Sequence, residues 1–335
     1  MNTEKSQQQD NQDIKDIRSV IKRRGDEWRD AFPILKRQNL IGLSIFTLSI
    51  ACICLLAYGY LIEVVSPWLS VPLIAILCSF LHELEHDLIH RQYFKNNAVI
   101  HNFMMLGVWV FRPTTINPWV RRRLHLLHHK VSGTEADIEE VGIGNGQSFG
   151  ILRWWIMLDT FAGNIAKVLF RPGKNKWRHV LKIIAVNFPF PVVCAICWYS
   201  FLLFYIVEGA TNFIGISLMW SDQTLQLTNI LDKVVVLVIA PSLLRSFCLN
   251  FISSNMHYYG GVDSLMRQTQ VLNAWYFWPL QLFCFNFGST HGVHHFVVGE
   301  PFYVRQLTVS AAHEVMRAKG IRFNDLGTFK RRNHF

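Results

Sequence analysis

The sequence predicts an all-α integral membrane protein with four transmembrane helices and a cytosolic helical cap that holds a metal site. Three observations predict it: long apolar runs without charge, basic residues confined to alternate connections, and nine histidines in metal-ligand spacing. With 51% hydrophobic residues the chain stands at the apolar end of composition, which points to the membrane class.

Residues 1–39 are polar and highly charged, unlike the apolar core of a signal peptide, so they read as a cytosolic tail and the first helix as its own signal anchor. Within this tail Ile14, Ile17, Val20 and Ile21 recur at helical spacing before Gly25, which suggests an amphipathic helix lying on the membrane. Leu40 to Ile62 and Ile183 to Val207 carry no charge and exceed the roughly 20 residues a spanning helix needs. Val64 to Leu81 is a third uncharged run, and its helix is expected to continue to about residue 84 with histidines on its end. The fourth span is expected over about 230–253, with Arg245 inside it, a residue expensive at depth unless paired or turned to the protein interior. The membrane domain thus covers 40–305, with spans at about 40–62, 64–84, 183–207 and 230–253, followed by a cytosolic tail over 306–335. Two shorter apolar stretches, Asn97 to Phe111 and around Ile151 to Phe161, read as helices in the interface.

Lys and Arg crowd the first 39 residues, the connection from His90 to Lys182 and the C-terminal tail, while the connections near Glu63 and over 208–229 have none. The positive-inside rule therefore places both tails and the long connection in the cytosol of a multi-pass protein of a bacterial inner membrane or the endoplasmic reticulum. A membrane-facing surface accounts for the net charge of +10, and no nucleic-acid partner is expected. The seven cysteines all lie in apolar stretches, where thiols behave as small buried hydrophobes, so no disulfide is expected. The GIGNG run at Gly142 to Gly146 follows no strand and reads as a turn rather than a dinucleotide loop.

The histidines form three boxes: His82 and His86 as HxxxH, His125, His128 and His129 as HxxHH, and His291, His294 and His295 as a second HxxHH, with His257 alone in NMHYYG. Residues i, i+3 and i+4 of a helix share one face, so each box aims two or three imidazoles at one point, and imidazole suits iron, zinc, copper or nickel. Four crossings put all nine on one side. That arrangement requires the 18 uncharged residues Val271 to Gly288 to be re-entrant or interfacial rather than spanning.

Three boxes with these spacings on the cytosolic ends of membrane helices resemble the membrane fatty acid desaturase and hydroxylase superfamily, from the first helix to about Arg305. The resemblance implies two non-haem iron ions, O2 as co-substrate, and His82, His86, His125, His128, His129, His291, His294 and His295 as ligands. His257, with Gly260 three residues on, matches the isolated histidine of that family, although Ser253 stands where its members often carry Asn; Asn250 and Asn255 are the nearby alternatives. A ligating imidazole usually donates its other N–H to an acid or carbonyl, which makes Glu83, Asp87, Asp137 and Glu139 candidates behind the ligands, Asp137 foremost. His90 continues the face of His82 and His86 and is expected to support the ligands rather than to join them.

The function implied is O2-dependent oxidation of an unactivated C–H bond in a lipid chain, foremost fatty acyl desaturation, with a lipid, alkane or carotenoid hydroxylase as the alternative. A separate electron donor of ferredoxin, rubredoxin or cytochrome b5 type is expected, because the chain carries no redox domain of its own. HELEH over His82 to His86 also satisfies the HExxH zinc-protease motif with Glu83 as base, a rival that leaves both HxxHH boxes idle. Arg121 to Arg123 fit the positive-inside bias, or alternatively docking of an acidic donor or a phosphate. Trp109, Trp119, Trp275, Tyr276 and Phe277 are expected to line the substrate tunnel.

Overall fold

The structure, a computed structural model, describes residues 2–262 and 264–335, with side chains from residue 7 onward. Helix makes up 74% of it and no strand forms among the described residues, which establishes the all-α class. Four helices are long and apolar enough to cross a membrane: α2 (Gln38–Leu61), α3 (Pro67–Ile89), α10 (Phe190–Phe213) and α11 (Asp222–Met256). They run as two hairpins. Only 6% of the most apolar window of α10 is buried, against 50% for α3 and 56% for α11, so α10 depends on lipid for its solvent while α3 and α11 face protein. The uncharged run from residue 183 is divided, because Phe188 precedes a proline and leaves the helical region; Lys176–Asn187 forms a separate helix, α9. Helix α11 contains a π-turn at Val235–Ile239.

Between the hairpins lie α4 (Ala98–Val110), α5 (Pro118–Val131), α6 (Ile138–Gly142), α7 (Ile151–Leu158), α8 (Thr160–Phe170) and α9. Capping residues define the starts that matter for the site. Asn117 accepts from the amides of Trp119 and Val120 ahead of Pro118 at the first position of α5, and Asp137 accepts from the amide of Glu140 to open α6. The GIGNG segment is a turn with Gly144 and Gly146 at positive φ.

Residues 271–288 do not form a continuous helix. The segment folds back on itself: Leu272 N donates to Gly288 O at 2.9 Å, while the Gln281 amide donates to Leu272 O at 2.6 Å and accepts from Gly288 N at 2.9 Å. Trp275 and Trp278 at its turn are exposed, as interfacial aromatics are. From this hairpin the chain enters α12 (Phe287–Phe296) and then α13 (Phe302–Ala318).

The N-terminal segment is helical as its spacing suggests, α1 (Asn2–Ala31), but its apolar face does not lie free for a membrane. Ile17 and Ile21 are fully buried among Val293, Phe296, Ala312 and Met316 of α12 and α13. Polar contacts fasten the same docking, with Lys319 Nζ 2.7 Å from Asp13 and 2.6 Å from Asp16, and Arg18 Nε donating to Phe296 O. The C-terminal residues are packed too, since buried Asn333 donates to Asn255 and accepts from Arg153.

Candidate metal centre

Helix α3 carries His82, His86 and, just past its end, His90; α5 carries His125, His128 and His129; α12 carries His291, His294 and His295; His257 caps the end of α11. Their ring nitrogens converge in two groups, each within 4.8 Å: His86, His90, His125 and His294 in one, His128, His257, His291 and His295 in the other. His129 joins the first group from the side, its Nε2 lying 3.1 Å from both His125 Nε2 and His294 Nε2. His90, expected behind the ligands, lies among them, with Nε2 3.1 Å from His125 Nε2. Its spacing of four from His86 is the signal that pointed there.

The geometry within each group fits a bound cation. His295 Nε2 has three nitrogens around it, those of His257 and His291 at 3.2 Å and of His128 at 3.4 Å. One N–H can bridge only one such pair, so hydrogen bonding cannot satisfy four converging nitrogens. Ligands about 2.1 Å from a shared ion lie roughly 3.0 Å apart at right angles and about 3.4 Å apart in a tetrahedron. The observed separations fall in that range. Both ring nitrogens of His86 are buried without a hydrogen-bond partner among the described residues, and so is the Nε2 of His82, which was expected as a ligand but lies in neither group.

A second layer fixes ring orientation. Asp137 accepts from His128 Nδ1 at 2.7 Å and Glu139 from His125 Nδ1 at 2.9 Å, while His257 Nδ1 faces Ser253 O at 3.0 Å and Glu140 at 3.3 Å. Each contact puts the proton on Nδ1 and leaves the Nε2 lone pair pointing inward. Glu140 was not singled out from the sequence, although it follows Asp137 at the i+3 position of the same short helix; Asn145 supports it and donates to the carbonyl of His257. Asn250 and Asn255 do not reach a histidine: the first donates to Met157 O and Thr160, the second to Phe251 O.

The remaining acids act around α3. Glu83 lies 3.3 Å from Arg305 and Asp87 lies 3.0 Å from it, with Asp87 also accepting from Tyr93 and the amide of Phe302. Glu83, the base of an HExxH protease, is therefore held by an arginine. Glu85 is paired with Arg112 and, at 2.7 Å, with Arg121. Arg112 and Arg121 also donate to His82 Nδ1, at 2.9 and 3.3 Å. Of the three arginines before the middle box, Arg121 is thus drawn into the site, while Arg123 stays exposed.

Burial and the nearby His125 push His90 down to about 3, and burial with mutual repulsion holds His125, His129, His291, His294 and His295 below the ordinary histidine range. Neutral imidazoles with free lone pairs are what metal binding requires. His128 departs from the rest: burial opposes its charge, but the Asp137 contact outweighs burial and pushes it up to about 9, so a bound cation must displace the proton from its Nε2.

A cavity of about 720 Å³ reaches the centre, touching His82, His86, His125, His128 and His291, and Lys167, Arg171, Lys174 and Lys176 also line it. None of the five expected aromatics lines it. Trp109 packs instead against Trp119 and Phe190, and Trp275 faces outward on the hairpin.

No curated protein matches the chain. The sequence profile described as fatty acid desaturase matches residues 64–327, a stretch that includes every histidine of the two groups. Such a match implies an oxidoreductase of the lipid desaturase or hydroxylase type in a membrane. With four apolar helices, two histidine groups and a match over most of its length, the chain belongs to the fatty acid desaturase family.

Proposed function

We propose that the protein is a fatty acyl desaturase whose two histidine groups each hold a non-haem iron ion. The observation that carries this reading is the pairing of two four-histidine groups, one step apart along α5 from His125 to His128, beside a cavity large enough for a lipid chain. His86, His90, His125, His294 and His129 would hold one ion, and His128, His257, His291 and His295 the other. His82 takes its place at the cavity wall, held by Arg112 and Arg121.

Iron supplies the one-electron steps with O2 that imidazoles and carboxylates lack. The chain's own residues do the rest. Asp137, Glu139 and Glu140 hold imidazole orientation through Nδ1, while Leu124, Val141, Phe161 and Leu249 give the cavity an apolar wall that excludes water from the substrate. The overall reaction removes two hydrogens from neighbouring carbons and, with two electrons and two protons from outside, reduces O2 to two waters. A hydroxylase of the same family would use the same inputs and return one oxygen to the carbon.

The electrons come from a separate donor of ferredoxin, rubredoxin or cytochrome b5 type. The distribution of Lys and Arg supports a cytosolic position for both termini and the centre, and the hairpin at 271–288, which does not form a continuous helix, supports α12 lying on the same side as the end of α3. Expression in a host without such an enzyme, followed by mass spectrometry of its lipids, tests the reading. New double bonds are expected; hydroxylated chains would select the alternative, and unchanged lipids with an active electron donor present would overturn both.

A further inference from the structure

Within the second histidine group His128, His291 and His295 are carried by helices, and His257 is not. Helix α11 ends at Met256, and the backbone at His257 is already extended, with φ −89° and ψ 127°. Past that point no helical hydrogen bond fixes the chain, so other partners must. They come from two distant segments: Met256 O accepts from Gln270 N at 2.9 Å, Tyr258 N donates to Gln268 O at 3.0 Å, and Tyr259 N donates to Asn333 O at 2.8 Å.

Asn333 grips the chain on both sides of the histidine. Its carbonyl holds Tyr259, two residues after His257, and its side-chain amide donates to Asn255 Oδ1, two residues before it, at 3.2 Å. The side chain also accepts from Arg153 of α7 at 2.7 Å, and the same guanidinium nitrogen reaches the hydroxyl of Ser254 at 3.3 Å. Asn333, Asn255 and Arg153 are all buried, where a hydrogen bond left unmade costs most. A left-handed turn brings Asn333 into place, with φ 53° at Arg332 and 68° at Asn333, a conformation asparagine tolerates better than most residues. Asp325 of the same segment accepts from the Tyr258 hydroxyl at 2.8 Å.

We infer that Asn333 is a positioning residue for His257: the segment 325–335 wraps the end of α11 and fixes where His257 Nε2 meets the nitrogens of His128, His291 and His295. This rests on the reading of that group as the site of one ion. Loss of the Asn333 side chain then weakens one ion and spares the other, because the first group draws on α3, α5 and α12 but not on the end of α11.

The test uses the full chain in nanodiscs of phosphatidylcholine and the variant Asn333→Gly, which removes the side chain and keeps the turn. Anaerobic titration with Fe2+ should give two equivalents in the wild-type protein; in the variant one binds as before and the other is weakened roughly 10–100-fold. Asn333→Asp, which keeps the acceptor for Arg153 and tolerates the same turn, should recover most of the second equivalent. Arg153→Met removes the donor to Asn333 and should reproduce the loss, so the outcome does not hang on one variant folding. Diethyl pyrocarbonate, which acylates neutral imidazole, gives a readout without metal. In metal-free Asn333→Gly, His257 should react at least about tenfold faster than in the wild-type protein, mapped by mass spectrometry, with His125 unchanged. A second equivalent of wild-type affinity in the variant, or loss of both together, overturns the inference and leaves the two-ion reading standing. If the wild-type protein takes up no iron while His257 alone becomes reactive in the variant, the two-ion reading fails and the positioning role stands. Unchanged reactivity of His257 overturns that role whether or not iron binds.

Discussion

The carboxylate of Asp137 accepts from His128 Nδ1 at 2.7 Å and, through its other oxygen, from the amide of Glu140 at 3.3 Å. One side chain thus opens α6 and orients an imidazole of the second histidine group. Removing it should loosen the ring and the helix that supplies Glu139 and Glu140. Asp137→Ala is expected to lower iron affinity by roughly 10–100-fold, the usual cost of losing such a partner. Metal titration of the purified variant reads this, and an affinity equal to wild type would show that Asp137 serves the fold alone.

His128 and His294 belong to different groups. If each group holds its own ion, His128→Ala and His294→Ala should each lower the iron content from two per chain to about one or less and abolish lipid oxidation, with helical content by circular dichroism unchanged. A single zinc in the wild-type protein would favour the protease motif at His82 to His86 instead.

His90 offers a sharper version of the same experiment. It lies beyond the end of α3, outside every box, yet its Nε2 is 3.1 Å from that of His125. His90→Ala should match His294→Ala in iron loss; retention of full iron would return it to a supporting role.

Gly288 closes the hairpin where a methyl group would come within 2.5 Å of the carbonyl oxygen of Leu272. Gly288→Ala must push the strands of this loop apart, at a cost of about 1–3 kcal/mol. Since His291 follows one turn later, lipid oxidation should fall while the protein still inserts. Unaltered activity and thermal stability would show that the hairpin gives way easily.

The docking of α1 can be tested apart from the metal. Ile17 is wholly buried against α12 and α13. Ile17→Ala should cost about 2–5 kcal/mol of local packing and expose the N-terminal segment to limited proteolysis. An unchanged digestion pattern would argue that the ion pairs of Lys319 alone hold the helix.

Much of this molecule could be read from its sequence because hydrophobic runs and helical spacing are local signals. Four spans, the two HxxHH boxes and the non-spanning character of 271–288 follow from residues close together in the chain, whereas the first box was read as His82 with His86 and the structure puts His90, not His82, beside His86. What escaped depends on distant partners. That Glu85 meets Arg112 and Arg121, that Glu140 faces His257 and that α1 docks on α13 are facts of tertiary packing, for which single-residue spacing holds no information. The tunnel residues were misplaced for a related reason: aromatic content marks burial or an interface equally well, and Trp275 and Trp109 serve those ends.

The π-turn at Val235–Ile239 acts as a phase shift within α11. One extra residue in a helical turn rotates everything beyond it by about 100° relative to everything before it. Arg245, Ser253 and His257 all lie beyond. The wall of the cavity, the support of a histidine and the histidine itself are therefore indexed to one irregularity, ten residues or more away from two of them along the helix. Deleting a single residue there would leave composition and hydropathy intact while turning all three toward the wrong neighbours together, so in this helix it is angular register, more than any one contact, that the chain has to conserve.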